Sequence, residues 1–164
     1  MVKFSKLMRK ILNHSNMLTV ILKEEIDILS LYTDLEQLRV RNQFEFEVYI
    51  DPALDIGAQK VPSMIIQPFL ENAIWHGIQE AERPAYIKLS FVSENDYVEV
   101  RIEDNGVGFD GVSAKNSGHP RGMQLANERL ELIGKLHGGT SDFHLESEVD
   151  MGTKIRFRFS KNLT

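Results

Sequence analysis

Asp104-Asn105-Gly106-Val107-Gly108 follows a segment in which apolar and polar residues alternate, as they do in a half-buried β-strand. An Asn-Gly pair after such a strand is typical of a two-residue β-hairpin. However, residues 109–121 contain no alternating pattern that could form the returning strand, which argues against the hairpin. The alternative is a carboxylate at a strand end, followed by glycines that let the backbone approach a flat ligand closely. Such a carboxylate suits hydrogen bonding to the exocyclic amine of a purine.

Alternation of apolar and polar residues predicts four clear strands and one weaker strand. The clear strands are centred near Phe46, Leu89, Val100 and Phe157, and the weaker one includes Phe143 and Leu145. Strands that are buried on both faces would instead read as continuous apolar runs. The pattern therefore predicts an α+β fold, a two-layer open-faced sandwich with a mixed sheet and helices on one face.

Two helices are predicted to form the second layer of the sandwich, over residues 62–76 and 122–136. In the first, apolar residues recur at helical spacing, Pro62 suits the first turn and Gly77 suits the position just after the end. Pro68 lies inside this predicted helix, where a proline removes a backbone hydrogen bond. A kink is therefore expected at Pro68.

Asn72 and His76 are four residues apart in the first helix and are expected to project from one edge. An amide oxygen is a suitable ligand for Mg²⁺, which prefers oxygen donors and often bridges phosphates. The competing interpretation is a surface asparagine and a helix-end histidine stabilised by the helix dipole. Arg121 and Gly122, at the start of the second helix, suit phosphate binding, although solvated loops of this composition are common.

Composition and charge limit the possible functions. The chain has 164 residues, 42% of them hydrophobic, and a net charge of −5, which argues against a nucleic-acid partner. It contains no cysteine, which excludes disulfides and thiolate metal sites and fits a reducing compartment. No apolar run approaches the roughly 20 residues that span a bilayer. Residues 4–12 and 24–39 have helical spacing, so that a helical segment over residues 1–41 is expected to precede the sandwich over residues 42–164.

The order of these motifs resembles the superfamily of gyrase, heat-shock chaperone, histidine kinase and MutL ATPases, which share the Bergerat ATP-binding fold. Residues 62–77, PSMIIQPFLENAIWHG, are similar to the N box of LytS-type sensor histidine kinases. Glu128-Arg129-Leu130 resembles the helix after their second glycine box, and residues 24–39 resemble the helix that leads into their kinase domain. The resemblance covers nearly the whole chain.

The resemblance implies ATP and Mg²⁺ as cofactors and assigns a role to each motif. Asn72 would coordinate Mg²⁺, Asp104 would bind the adenine amine, and Thr153 would support Asp104. A lid over residues 110–121 would close across the phosphates. The residues expected to bind ATP are Asn72, His76, Asp104, Gly106, Gly108, Arg121, Gly122 and Thr153. Thr153 could equally be a plain strand residue.

Two departures from the family pattern affect the expected activity. The usual Gly-x-Gly-Leu is replaced by Pro120-Arg121-Gly122-Met123. The resemblance therefore does not determine whether the lid closes or how the phosphates are contacted. Pro68 occupies the position where ATP-hydrolysing relatives place a water-activating glutamate, and proline cannot act as a base. The resemblance therefore favours a kinase, in which an imidazole is itself the nucleophile, over an ATP hydrolase.

The acceptor histidine is expected to lie outside this chain. The family's acceptor motif, similar to Pro-His-Phe-Leu-Phe-Asn, is absent, and none of the five histidines is a good candidate. We therefore expect the cytoplasmic ATP-binding catalytic domain of a membrane-anchored bacterial sensor histidine kinase, unable to autophosphorylate alone. Residues 1–41 would be the end of its dimerisation helices, and its partners would be a second copy and a response regulator. The alternatives are a serine kinase or a degenerate nucleotide-binding interaction module of the same superfamily.

Overall fold

A computed structural model describes residues 2–109, 121–137 and 142–163. The chain begins with helices α1 (Val2–Ser15) and α2 (Leu22–Gln37), which are separated by the short strand β1 (Thr19–Ile21). The remaining elements are β2 (Phe44–Ile50), β3 (Lys60–Pro62), α3 (Gln67–Asn72), a π-helix (Ala73–Ile78), β4 (Ala85–Glu94), β5 (Tyr97–Asp104), α4 (Arg121–His137), β6 (Phe143–Glu148) and β7 (Gly152–Ser160).

Within the described residues, β2, β4, β5, β7 and β6 form a mixed sheet in that order. The β2–β4 pair is parallel and the other pairs are antiparallel. Phe69 of α3 packs on one face of the sheet, with its ring centroid 5.6 Å from Phe143 and 5.5 Å from Phe157. All five predicted strands are present, and the prediction of an open-faced α+β sandwich is confirmed.

The open face of the sheet carries charged side chains over a buried carboxylate. Glu99 in β5 is fully buried and accepts hydrogen bonds from Arg101 and from Arg158 of the neighbouring strand. Burial raises the pKa of Glu99, but the hydrogen bonds and positive charges of the neighbouring arginines together lower the pKa overall. On the solvent-facing side of the sheet, which the alternating pattern predicts, ion pairs between the strands therefore cover part of the surface.

The helix predicted over residues 62–76 differs from the observed one at both ends. Pro62 ends strand β3, and the helix begins only at Gln67. Pro68 lies in the first turn of α3, where a backbone N–H would have no carbonyl partner within the helix. The proline therefore costs no helical hydrogen bond, and the predicted kink at Pro68 is wrong. Gly77 was expected just after the helix end but lies inside the π-helix that continues α3. Isolated π-helical turns occur frequently at functional sites.

The N-terminal helices share a core with the rest of the chain. Strand β1 pairs with β3 in an antiparallel ladder, and the Ser63 hydroxyl donates to the His14 carbonyl over 2.8 Å. One apolar cluster contains Leu22 and Leu29 of α2 together with Val61 of β3. Helix α1 ends at Ser15, three residues after the helical spacing seen over residues 4–12. No helix in the described ranges is long and apolar enough to cross a membrane.

Candidate nucleotide-binding site

A buried carboxylate lies at the end of a central strand. Asp104 is the last residue of β5, faces Thr153 in the β5–β7 register, and is only 6% exposed. Its Oδ1 accepts a hydrogen bond from the Gly106 backbone N–H over 2.9 Å. Burial raises the pKa of Asp104 to about 6, although hydrogen bonds from the backbone of Gly106 and Thr153 oppose this effect. A carboxylate held in this way keeps acceptor capacity for a ligand N–H group.

The glycines after Asp104 allow two very close backbone contacts. A Cβ on Gly106 would lie 2.4 Å from the Gly77 carbonyl carbon, so that the turn after β5 and the π-helix touch directly. The Val107 N–H also donates to the Gly77 carbonyl over 3.1 Å. Gly108 has φ +58°, and a Cβ there would lie 2.0 Å from the Glu148 carbonyl oxygen. Glycine is therefore required at both predicted pocket positions.

Asn72 and His76 are in different environments, contrary to the shared edge expected for them. Asn72 ends α3 and is buried, whereas His76 lies in the π-helix and is exposed. The difference arises because the four-residue spacing of an α-helix does not apply once the bonding becomes π-helical. Within the described residues, the Asn72 side chain has no hydrogen-bond partner, so its amide oxygen is available to a ligand.

Thr153 acts on Asp104 through its backbone rather than through its hydroxyl. The neighbouring backbone of Thr153 lowers the pKa of the Asp104 carboxyl. The hydroxyl instead lies 3.0 Å from the Ser147 hydroxyl, and Ser147 also accepts a hydrogen bond from the Phe109 N–H. The predicted support of Asp104 by the Thr153 side chain is thus replaced by support from the strand backbone.

The phosphate end of the predicted site is described only in part. Arg121 and Gly122 begin α4, as expected for residues at a helix N-terminus. Residues 110–120, which include most of the expected lid, and the side chain of Arg121 lie outside what the structure describes. The phosphate contacts expected of them remain predictions.

The donor set fits Mg-ATP better than a metal bound by protein alone. The described residues contain no cluster of three or more His, Asp or Glu side chains that could hold a metal ion. Mg²⁺ commonly binds through one or two protein oxygens while phosphates and water complete its coordination. The available amide of Asn72 fits this arrangement, and the buried carboxylate of Asp104 fits an adenine amine.

Arg83 and Asn42 contact the same region but carry no motif in the sequence. The Arg83 guanidinium donates to the backbone carbonyls of Asn105 and Gly106, directly after Asp104. The Asn42 side chain donates to the carbonyl of Arg83 itself. In the sequence, each is one of several polar residues in a loop, and only its contacts with distant backbone distinguish it.

The sheet topology, the buried strand-end carboxylate and the glycine turn define an ATP-binding α+β sandwich domain. A family model described as histidine kinase-, DNA gyrase B- and HSP90-like ATPase matches residues 57–163, and the chain belongs to this family. A second model, described as histidine kinase, matches residues 1–44. The predicted assignment to the ATP-binding domain of a sensor histidine kinase is confirmed by these matches.

Curated relatives agree with this assignment. The chain is 28% identical over 159 residues to the sensor protein LytS of Bacillus anthracis, covering 93% of this chain and 26% of LytS. It is 31% identical to the sensor histidine kinase YesM of Bacillus subtilis, covering 83% of this chain and 23% of YesM. It thus spans about a quarter of these curated relatives.

Solved structures of histidine kinases share this fold. The histidine kinase domain of the Erythrobacter litoralis EL346 blue-light activated histidine kinase superposes with a TM-score of 0.66 at 14% identity, covering 94% of this chain and 69% of that one. The catalytic domain of histidine kinase ThkA gives a TM-score of 0.59 at 15% identity, covering 87% of this chain and 95% of that one. At these identities the likeness concerns the fold alone.

Proposed function

We propose that this chain binds Mg-ATP and positions its γ-phosphoryl group for transfer to a histidine imidazole outside residues 1–164. The observation that carries the proposal is the Asp104 carboxylate, which is buried, oriented by the backbone N–H of Gly106 and followed by a glycine turn. In this proposal Asp104 accepts the hydrogen bond of the adenine amine, and Gly106 and Gly108 shape the pocket through their close backbone contacts with Gly77 and Glu148.

The metal and phosphate roles extend from this site. Asn72 would coordinate Mg²⁺, which neutralises phosphate charge when bound. The proposal places His76, Arg121 and Gly122 at the phosphates. The imidazole forms the new P–N bond, ADP leaves as the P–O bond breaks, and the imidazole releases its proton to solvent. The chain needs to supply position and charge rather than a base, which agrees with Pro68 in the first turn of α3.

The proposal includes a phosphorelay in the complete protein. The relatives named sensor proteins support a response regulator as the next acceptor and a membrane-anchored protein of which this chain is a cytoplasmic part. A homodimer through the N-terminal helices is supported by α1, where Phe4, Met8 and Leu12 form an exposed apolar stripe at four-residue spacing.

Calorimetric titration of ATP and ADP, with Mg²⁺ and with EDTA, tests the proposal. Wild-type protein should bind both nucleotides. Asp104→Asn should weaken both by about 10- to 100-fold, because it loses a hydrogen bond to a charged group. Asn72→Ala should weaken mainly the Mg²⁺-dependent part of ATP binding, whereas Asn16→Ala, at an exposed asparagine in the α1–β1 connection, should bind normally.

The same titration identifies the outcome that would overturn the proposal. If folded wild-type protein binds neither nucleotide at millimolar concentration, the chain is a degenerate interaction module. If it binds ATP and Asp104→Asn binds equally well, the adenine site lies elsewhere. Transfer of phosphate to a serine of a separate protein would instead identify a serine kinase.

A further inference from the structure

Arg83 ties together two turns beside the proposed adenine site. It lies half-buried between the π-helix and β4. Its Nε donates to the Asn105 carbonyl over 3.0 Å, and its Nη2 donates to the Gly106 carbonyl over 2.8 Å and to the Asp150 carbonyl. Asn105 and Gly106 follow β5, whereas Asp150 lies between β6 and β7. One planar guanidinium therefore fixes both turns at once.

The Arg83 guanidinium donates hydrogen bonds to backbone carbonyls and forms no ion pair with the acidic residues near it that the structure describes. Glu80, Glu82 and Asp150 line a cavity of about 360 Å³ together with Arg83. Nevertheless, in the parts of the chain that the structure describes, no carboxylate lies within 4.0 Å of the Arg83 guanidinium nitrogens. An ordinary surface arginine with three acidic residues nearby would be expected to pair with one of them. The guanidinium is therefore oriented by the turn after β5.

Gly106 connects this guanidinium to the Asp104 carboxylate. The Gly106 carbonyl accepts from Arg83, and the Gly106 N–H donates to Asp104 Oδ1 over 2.9 Å. The turn lies beyond the end of β5, so the sheet ladder does not hold it. A shift of the Gly106 peptide would move the donor that orients the carboxylate. Gly106 is thus the single residue that links Arg83 to the carboxylate proposed to recognise adenine.

Asn42 holds the backbone from which Arg83 extends. Its Nδ2 donates to the carbonyls of Ile78, Ala81 and Arg83 over 3.1, 2.8 and 3.1 Å. These carbonyls lie at the end of the π-helix and in the connection to β4. Asn42 itself lies between α2 and β2. Arg83 is therefore fixed both at its backbone and at its guanidinium.

We propose that Arg83, held by Asn42, is a positioning residue that sets the selectivity of the site for adenine, an inference that rests on the proposed function. A carboxylate in a fixed position accepts the adenine amine but repels a purine with a carbonyl oxygen at the same position. A carboxylate free to turn away discriminates less. Loss of the Arg83 hydrogen bonds should therefore reduce both the affinity for ATP and the preference for ATP over inosine triphosphate.

Titration of Mg-ATP and Mg-inosine triphosphate into four variants and the wild type tests this inference. Arg83→Met should weaken ATP binding by about 10- to 100-fold, the range typical for residues that orient a ligating group, and should lower the ATP preference. Arg83→Lys should recover only part of the preference, because an ammonium group lacks the planar fork. Asn42→Ala should lower the preference in the same direction.

Lys161→Met is the matched control. Lys161 also donates to a turn carbonyl, that of Asn95, and to the Ser93 hydroxyl, but at the opposite end of the sheet. It should bind both nucleotides as the wild type does. The inference is overturned if folded Arg83→Met keeps the wild-type preference, or if both nucleotides weaken equally, since that indicates general structural support. If Arg83→Met does not fold, Asn42→Ala decides by the same criterion. Failure of the wild type to bind ATP would instead overturn the proposed function.

Discussion

Replacing Asp104 by Asn should stabilise the nucleotide-free protein at neutral pH while it weakens nucleotide binding. Burial raises the pKa of Asp104 from its ordinary value of 3.8 to about 6. Because the folded-state pKa is the higher one, the protonated carboxyl favours folding. This contribution is fully present below pH 3.8 and is lost as the pH rises through 6. At about 1.4 kcal/mol per pKa unit, the charged carboxylate costs about 3 kcal/mol of unfolding free energy above pH 6.

The net effect of the substitution is smaller than this cost. An asparagine oxygen is a neutral acceptor, so the hydrogen bond that the Gly106 N–H donates to Asp104 Oδ1 becomes weaker in the variant. This weakening costs about 1 kcal/mol. Asp104→Asn should therefore be more stable than the wild type by about 2 kcal/mol at pH 8. At pH 4 this gain should disappear, since the wild-type carboxyl is then protonated.

Urea unfolding at pH 4 and pH 8, followed by the fluorescence of Trp75, measures both differences. Asp51→Asn is the matched control, because backbone hydrogen bonds from Ala53 and Ser93 lower the pKa of Asp51. Its substitution should therefore destabilise at pH 8 and do so less as the pH falls. If Asp104→Asn is less stable than the wild type by the same amount at both pH values, burial of the charge does not govern this site.

Three further predictions concern the same elements. Gly106→Ala should lower the unfolding free energy by about 1–3 kcal/mol and prevent ATP binding, because its Cβ would meet the Gly77 backbone. Urea unfolding should show little change for the control Gly57→Ala, whose Cβ would lie 3.4 Å from Asp55. An equally small change for Gly106→Ala would contradict the close approach of the two backbones. Glu25→Gln should raise the unfolding free energy by about 3 kcal/mol at pH 8 but not at pH 4, because burial raises the pKa of Glu25 from 4.5 to about 7. A stability difference in urea unfolding that does not change with pH would refute this prediction. ATP affinity should fall below pH 6 as Asp104 gains a proton, and calorimetric titrations at pH 5 and pH 7.5 that gave equal dissociation constants would count against Asp104 as the adenine acceptor.

The long strands could be predicted because alternation over six or more residues is a strong signal of a half-buried sheet. Strands β1 and β3 have three residues each, too few to show a period, and their pairing depends on residues about 40 positions apart. Pro62 and Pro68 both suit a helix start, and tertiary pairing of β3 decides between them. The π-helix likewise depends on contacts with the Gly106 turn rather than on local propensity.

The local part of the candidate site could be predicted, whereas its supporting residues could not. Asp104 and Gly106 stand in one short motif at a strand end, so their proximity follows from the sequence alone. Arg83 and Asn42 act through backbone carbonyls that any sequence would supply. No pattern of residue types therefore marks them. The Thr153 side chain was assigned a role that its backbone fulfils, because strand register is not visible in the sequence.

The ladder between β1 and β3 has a practical consequence for making a minimal ATP-binding fragment. A fragment that starts at Phe44 would keep every strand of the large sheet but would leave β3 without its partner. It would also lose Leu22 and Leu29 of α2, which lie in the same apolar cluster as the fully buried Val61 of β3. Such a fragment should aggregate, whereas one that starts before Thr19 keeps the ladder and most of this cover. Expression boundaries are therefore better placed by this small ladder than by the motifs that bind nucleotide.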